Sequence, residues 1–181
     1  VTVASLTASP YAVLMPVYAK DLFGGDATMN GQLLGAAGLG ALLAAYGLLR
    51  LPEGQTEGLV QRAWWGSLLF ALGLGAVSQT RTAFQAELVL VVTGLGFMTQ
   101  MASTNTYLQA MAPRALKGRV MGLYSTLFVG LSPFGSLLLG HLAEARDPRT
   151  ALLLGSAGML TGVIASREGA RRRSQPGVAP P

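Results

Sequence analysis

The stretch ATMNGQLLGAAGLGALLAAYGLL, residues 27–49, contains no Asp, Glu, Lys or Arg. A helix needs roughly 20 apolar residues to cross the hydrocarbon of a bilayer, and this stretch has 23. Five further charge-free stretches follow the same pattern, at residues 1–19, 63–80, 88–113, 120–143 and 150–166. A water-soluble helix of this length would carry charge along one face. The pattern therefore predicts an all-α membrane protein with six transmembrane helices.

The composition agrees with this interpretation. Charged residues make up 12% of the 181-residue chain and hydrophobic residues 51%, whereas soluble domains carry about 25% charged residues. A transmembrane β-barrel is not expected, because its strands are alternating segments of about 10 residues. We therefore predict one six-helix bundle over residues 1–166. A basic tail over residues 167–181 follows, and its Pro, Gly and Arg content predicts disorder beside anionic lipid.

The basic residues indicate an orientation. Nine of the 13 Lys and Arg residues lie in the tail and in the links after the second and fourth segments. Four lie in the other three links, and basic residues stay on the cytoplasmic side. Both ends are therefore predicted to be cytoplasmic, as an even number of crossings requires. The net charge of +5 thus needs no nucleic-acid partner, and we expect none.

Residues for catalysis or cofactor binding are not evident. The chain has no Cys and no cluster of His and carboxylates suited to a metal, so we expect neither metal nor cofactor. A rhomboid-type protease would need a Ser–His pair. Ser136 and His141 lie five residues apart, which places them about 140° apart around one helix. An intramembrane enzyme is therefore the class with least support, and we expect a protein that is not an enzyme.

The fourth segment is the most polar. Gln100, Ser103, Thr104 and Tyr107 share one helical face, and Asn105 and Gln109 share another. Amides that face lipid would leave donors unsatisfied at several kcal/mol each. Both faces are therefore expected to point at protein or at a wet cavity. The first face fits either a transport pathway or hydrogen bonding between helices, and the second favours the interhelical role.

Proline and glycine mark two other segments. Pro10 and Pro16 predict a kinked first segment, which is either a packing feature or the border of a cavity. In the second segment, Gly31, Gly35 and Gly38 lie along one side with Gly40 close by, and close packing of small residues joins helices in lipid. This side is predicted to be a helix–helix contact.

Residues 105–144 read NTYLQAMAPRALKGRVMGLYSTLFVGLSPFGSLLLGHLAE. This run resembles the tenth and eleventh helices of major facilitator superfamily transporters. The likeness is strongest to the enterobactin-exporter-like branch of bacterial drug and siderophore exporters. PYAVLMPVYAKDLFGG and LLGAAGLGALL are similar to that branch's seventh and eighth helices. The residues that match the family motif, and that the resemblance associates with gating, are Asn105, Gln109, Pro113, Gly118, Arg119 and Pro133.

The resemblance implies half of a twelve-helix major facilitator fold, built from two inverted three-helix repeats. Because the chain starts with Val inside an apolar run, we expect it to be the C-terminal half, with the N-terminal six-helix half as its partner. The implied function is export of an amphipathic small molecule, drug-like or siderophore-like, across a bacterial inner (plasma) membrane. The first and fourth helices would line the cavity, with Tyr11 opposite Gln100, Ser103, Thr104 and Tyr107. The alternative is a non-catalytic six-helix membrane protein that acts as a scaffold or assembly partner.

Overall fold

The computed structural model describes residues 9–50 and 58–173, with side chains from residues 11–50 and 58–167. It is all-helical over these residues. The described part begins with a broken helix, made of a 3₁₀ segment Ser9–Leu14, a short helix α1 Met15–Val17 and a π segment Tyr18–Leu22. Five long helices follow: α2 Ala27–Leu49, α3 Leu59–Gln79, α4 Ala83–Met111, α5 Lys117–Ala145 and α6 Pro148–Arg173.

Four helices are long and apolar enough to cross a membrane: α2, α4, α5 and the part of α6 from Pro148 to Arg167. The 21-residue α3 has the length for a crossing but contains Gln61, Arg62 and Gln79. The described part of the first segment is irregular, as its two prolines predicted. The helix α6 runs on to Arg173, so the beginning of the predicted disordered tail continues a helix, and residues 174–181 lie outside the described part.

Local sequence explains how the helices begin. Asp26 and Asp147 precede α2 and α6, and each carboxylate accepts hydrogen bonds from backbone N–H groups of the first turn. The bond from the Met29 N–H is the main cause that lowers the pKa of Asp26. The Thr150 hydroxyl and N–H lower the pKa of Asp147. Gly24 has φ +65° in the turn before α2, a conformation that favours glycine.

The helix α4 is the centre of the packing. It lies along both α2 and α3, while α3 also packs on α6, and α5 contacts mainly the broken helix and α6. Small residues allow the two contacts of α4: a Cβ added to Gly40 would lie 2.8 Å from the Leu95 N, and one added to Gly96 would lie 2.6 Å from the Phe70 N. Backbones therefore touch at both crossings, as lipid-embedded helices require.

Among the described residues, the three-glycine side of α2 does not form the predicted helix–helix contact. A Cβ added to Gly31, Gly35 or Gly38 would meet nothing within 4 Å. The contact uses Gly40 instead, together with Ala37, which is buried and whose carbonyl carbon lies 2.7 Å from a Cβ added to Gly94. Residues 37 and 40 form a stripe on a different side of the helix from that of the three exposed glycines.

The outer surface of the bundle is apolar. Large side chains such as Leu42, Leu49 and Leu137 are 69%, 82% and 73% exposed. Monomeric soluble proteins rarely expose contiguous apolar surface on this scale, whereas lipid solvates it. The broken helix and all five long helices contribute to the buried core, and its largest fully buried side chains are Leu14, Met15, Tyr18, Leu33, Phe70, Leu74, Leu90, Leu139 and Leu152.

Candidate functional site

The polar face of α4 lies against protein. Gln100 and Ser103 are 8% and 1% exposed, and Thr104 and Tyr107 are half-buried. The backbone N of Gln100 lies 2.6 Å from a Cβ added to Gly66, which places this face of α4 directly on α3. The Oε1 atom of Gln100 and the Oγ atom of Ser103 are buried without a hydrogen-bond partner among the described residues. Such orphaned groups cost free energy unless a ligand or water pairs with them.

Gln100 and Thr104 line a pocket of about 550 Å³ between the first turns of α3, the middle of α4 and the end of α6. We call it the Trp64 pocket. The Trp64 indole Nε1 donates to the Val163 carbonyl at 3.3 Å, and the Arg167 guanidinium lies 4.6 Å from the centre of the same ring. The complete lining is Gly58, Val60, Gln61, Ala63, Trp64, Trp65, Ser67, Gln100, Thr104, Val163, Ser166 and Arg167.

The two serine hydroxyls of this pocket already donate their protons to backbone carbonyls. Ser67 Oγ donates to the Ala63 carbonyl at 2.7 Å, and Ser166 Oγ donates to the Val163 carbonyl at 2.7 Å. Each hydroxyl retains lone pairs, so it remains available as an acceptor. The pocket therefore offers acceptor oxygens and the Gln100 amide inside, and a positive charge from Arg167 at its opening.

Tyr11 lies in a different environment. It is buried, and its ring packs edge-on against Phe70 with centroids 5.9 Å apart. Phe70 contacts Phe97 at 5.1 Å, Phe97 contacts Phe128 at 6.5 Å, and Phe128 stacks on Tyr124 at 6.4 Å. We call these five rings the aromatic row. It runs from the broken helix through α3 and α4 to α5, and such ring pairs add about 0.5–1.5 kcal/mol each beyond their buried area.

A groove of about 1030 Å³ lies beside the end of the aromatic row, between α5 and the broken helix. Phe128 belongs to both. The groove is mostly apolar and carries polar groups toward the end of α5. Its lining is Val13, Phe128, Val129, Ser132, Pro133, Ser136, Leu137, Gly140, His141 and Glu144.

Five of the six family-motif residues lie in or near the α4–α5 link, and Pro133 lies farther along α5. Gln109 Nε2 donates to Asn105 Oδ1 at 2.8 Å on the exposed end of α4. Pro113 lies in the link, where its carbonyl accepts from the Leu116 N–H at 2.9 Å. Gly118 and Arg119 are exposed in the first turn of α5, and Pro133 lies inside that helix. Over residues 9–50 and 58–173, no three His, Cys, Asp or Glu side chains come together as a metal site would need.

Sequence reasoning did not find Phe70, Phe97 or Phe128. Each lies in an apolar segment, where nothing in the sequence distinguishes a buried Phe from one that faces lipid. A signal was present only for Phe97, which precedes Gln100 by three residues and so lies on a neighbouring part of the same helix.

Comparison with known proteins identifies the family. A family model described as "Transmembrane secretion effector", from the major facilitator superfamily, matches residues 1–175. The chain belongs to this family. The major facilitator chain is also 31% identical over 160 residues to the protein named "Multidrug efflux pump Tap" from Mycolicibacterium fortuitum. The alignment covers 85% of this chain and 37% of that relative, so the chain spans little more than a third of the relative's length.

Major facilitator membership confirms the resemblance that the α4–α5 motif predicted. The all-helical fold and the four apolar helices agree with a membrane transport family of this kind. The Trp64 pocket, the aromatic row and the groove beside α5 are thus features of a major facilitator helical bundle.

Proposed function

We propose that the chain is the C-terminal half of a secondary active transporter that exports an amphipathic small molecule by alternating access. The observation that carries this proposal is the match of nearly the whole chain to a transporter family, combined with its coverage of 37% of an efflux pump. A partner of six more helices would account for most of the remaining length. Rocking of two such halves about a central site is how this fold moves its substrate.

The test compares two preparations in proteoliposomes. One is the chain alone, and the other is the chain co-expressed with the six-helix half encoded upstream of it. Saturable efflux of an amphipathic dye only from the paired preparation is the expected result. Efflux by the chain alone would contradict the half-transporter proposal, and a paired preparation without efflux of any amphipathic dye would favour the scaffold function.

We propose six crossings, with both ends in the cytoplasm. The support is the uneven distribution of basic residues in the links. The absence of Cys allows single-cysteine labelling with a membrane-impermeant maleimide. Arg81→Cys should react from outside and Ala115→Cys only from inside. We avoid Gly24 as a labelling site, because its φ of +65° would strain a cysteine. Reaction of Arg81→Cys only from the cytoplasmic side would refute the orientation.

We propose that Tyr11, Gln100, Ser103, Thr104 and Tyr107 border the substrate path. The polarity of this face of α4 supports the proposal, and two of its residues, Gln100 and Thr104, line a pocket. The family-motif residues, Asn105, Gln109, Pro113, Gly118 and Arg119 near the α4–α5 link and Pro133 inside α5, are proposed to contribute to gating. In the full-length transporter, Gln100→Leu and Tyr107→Ala should alter transport but not membrane insertion. Unchanged transport of all substrates in both variants would reject the path.

A further inference from the structure

The helix α3 differs from the other long helices in its polar residues. It is not among the four helices that are apolar enough to cross a membrane, and it contains Gln61, Arg62 and Gln79. All three lie within four residues of an end of the helix Leu59–Gln79. Composition alone therefore leaves open whether α3 crosses the bilayer or lies on its surface, and the packing of α3 against α6 decides between the two.

Two hydrogen bonds fix the position of α3 along α6. The Trp64 indole Nε1 donates to the Val163 carbonyl at 3.3 Å, and Ser156 Oγ donates to the Ala71 carbonyl at 2.8 Å. Ala71 follows Trp64 by seven residues, and Ser156 precedes Val163 by seven residues. Both bonds therefore belong to one antiparallel alignment, in which each step forward along α3 matches one step back along α6.

This alignment makes α3 coincide with the apolar span of α6. Eight residues after Ala71, α3 ends at Gln79, and eight residues before Ser156, α6 begins at Pro148. The apolar span Pro148–Arg167 has 20 residues, which is about 30 Å at 1.5 Å per residue and matches the hydrocarbon thickness of a bilayer. A helix of 21 residues that lies beside this span over its whole length has to cross the same thickness.

The exposed surface of α3 suits hydrocarbon. Over residues 66–78, the exposed side chains are Leu72 and Ala76, which are both apolar. The two serines of this part, Ser67 and Ser78, are buried, and their hydroxyls donate to backbone carbonyls at 2.7 and 2.6 Å. A helix that lies on a membrane surface keeps a polar face along its length, and this part of α3 has none. Its polar side chains are thus confined to the two ends.

An aromatic and basic cluster lies where both helices reach one boundary of this span. The rings of Trp64 and Trp65 meet edge to face with centroids 4.6 Å apart, and the Arg167 guanidinium lies 4.6 Å from the centre of the Trp64 ring. Trp65 is 54% exposed, and Arg62 lies two residues before Trp64. Indole rings are enriched at the membrane–water interface, and arginine extends its charged end toward water there.

We infer that α3 crosses the bilayer level with α6, and that Trp64, Trp65 and Arg167 lie in the phospholipid head-group layer where both helices leave the hydrocarbon. The head-group layer fits this cluster because it offers phosphates to the guanidinium and a boundary between apolar and polar surroundings to the indole rings. The inference rests on the proposed six crossings, of which α6 is one, and adds where the bilayer lies along these helices.

The depth of single tryptophans in the bilayer tests this placement. The full 181-residue chain is reconstituted in phosphatidylcholine that carries bromine atoms either near the ester end or near the methyl end of its acyl chains. Bromine quenches an indole only near contact, so the two lipids report shallow and deep positions. The chain has two Trp residues, so Trp64→Phe leaves Trp65 as the probe. The variant Trp65→Phe leaves Trp64 with its bond to Val163, as a second probe of the same level.

Two further probes report the middle of the bilayer. In the double variant Trp64→Phe/Trp65→Phe, Leu72→Trp places the only indole on α3, and Leu154→Trp places it on α6. Leu72 and Leu154 are 53% and 48% exposed, so both positions accept an indole at the surface. The alignment of the two helices puts these positions within one residue of the same level, which makes Leu154→Trp the matched control for Leu72→Trp.

The expected result is opposite quenching at the two levels. Trp65 and Trp64 should be quenched more by bromine near the ester end. Leu72→Trp and Leu154→Trp should be quenched more by bromine near the methyl end. Seven residues separate Trp65 from Leu72, so their depths should differ by about 10 Å.

Three outcomes would overturn the inference. Shallow quenching of Leu72→Trp with deep quenching of Leu154→Trp would refute the crossing of α3 alone and leave α6 as a crossing. Stronger quenching of Trp64 and Trp65 by the deep bromine would refute their place in the head-group layer. Shallow quenching of Leu154→Trp would refute the proposed crossing of α6, and with it the six-crossing topology. Efflux is measured separately, so its absence refutes the transport function without changing these depths.

Discussion

Alanine at Gly40 and alanine at Gly38 should change the stability of the bundle in opposite directions. Both glycines lie in the middle of α2, two residues apart. A Cβ at position 38 meets nothing within 4 Å, whereas a Cβ at position 40 lies 2.7 Å from the Val91 carbonyl carbon and 2.8 Å from the Leu95 N. The same substitution at two positions of one helix therefore separates the higher helix propensity of alanine from the free-energy cost of the close contact with α4.

The magnitude follows from the distances. Ala is about 1 kcal/mol better than Gly inside a helix, and this gain applies to both variants. Carbon atoms pack best about 3.5–4.0 Å apart, so the 2.7 Å contact at Val91 forces α2 and α4 apart by at least about 0.8 Å. A gap of that size forfeits a quarter to a half of each contact across the crossing. Overpacking of this kind costs about 1–3 kcal/mol.

The helix term cancels when the two variants are compared, so Gly40→Ala should be less stable than Gly38→Ala by about 1–3 kcal/mol. The free energy of unfolding is measured on the purified chain in mixed micelles with increasing mole fraction of dodecyl sulfate, by circular dichroism and Trp fluorescence. Coincident transitions by the two probes would justify the two-state fit.

The reciprocal position supplies a further check. A Cβ added to Gly94 lies 2.7 Å from the Ala37 carbonyl carbon, so Gly94→Ala should destabilise the same crossing. The double variant Gly40→Ala/Gly94→Ala should lose less than the sum, since the first substitution has already separated the helices. Equal stability of Gly40→Ala and Gly38→Ala would refute the backbone contact between α2 and α4.

Three further outcomes are expected. Gln100→Leu should raise the free energy of unfolding by about 1–3 kcal/mol, since it removes an unpaired buried amide; a destabilised variant in the same micelle assay would show that the amide is paired. Phe128→Ala should leave the fold intact but weaken dye binding to the groove beside α5, measured by dye fluorescence polarisation, because Phe128 is only half-buried. The pKa values of Asp26 and Asp147 are lowered in the folded chain. Their capping hydrogen bonds therefore stabilise the fold fully above the ordinary Asp pKa of about 4. This stabilisation is lost as the pH falls through the lower pKa values of the folded state. The melting temperature should thus fall below about pH 4, and less so in Asp147→Asn, which keeps a capping oxygen that does not titrate; identical pH profiles would contradict this assignment.

The absence of charge predicted the long helices but not their ends. The helix α3 begins at Leu59, ahead of Arg62, and α4 begins at Ala83, ahead of Glu87. Charged side chains at a helix end can reach the interface while their backbone remains helical. A charge-free stretch therefore defines the part of a helix that lies in hydrocarbon and underestimates the length of the whole helix.

The packing face of α2 could not be predicted, for a related reason. Small residues occur all around this helix, and Gly31, Gly35 and Gly38 form as regular a stripe as Ala37 and Gly40. Lipid and protein interior are equally apolar, so hydrophobic periodicity does not distinguish them. The choice depends on where α4 brings Val91 and Gly94 close, and these residues are more than fifty positions away in the chain.

The polar face of α4 shows how far the candidate site could be predicted. Polarity alone placed Gln100 and Ser103 away from lipid, and both are buried. It left open what they face, because that depends on Gly66, whose missing side chain lets α3 approach the Gln100 backbone. The Trp64 pocket needs Arg167 from α6 as well, so three separate segments contribute to it.

The helix α4 contacts α2 and α3 through its backbone but contacts α5 through side chains. Gly94 and Gly96 are about 160° apart around the helix, and they bring the α2 and α3 backbones against opposite sides of it. A helix held by backbone contact on two sides cannot rotate without breaking one of them, so α2, α3 and α4 form a rigid unit. Contact with α5 is made through side chains, by Phe97 on Phe128 and by the Tyr124 hydroxyl on Met101 Sδ at 3.5 Å. Side-chain contacts can slide where backbone contacts cannot, so we expect the boundary between α4 and α5 to deform more easily than the crossings of α4 with α2 and α3.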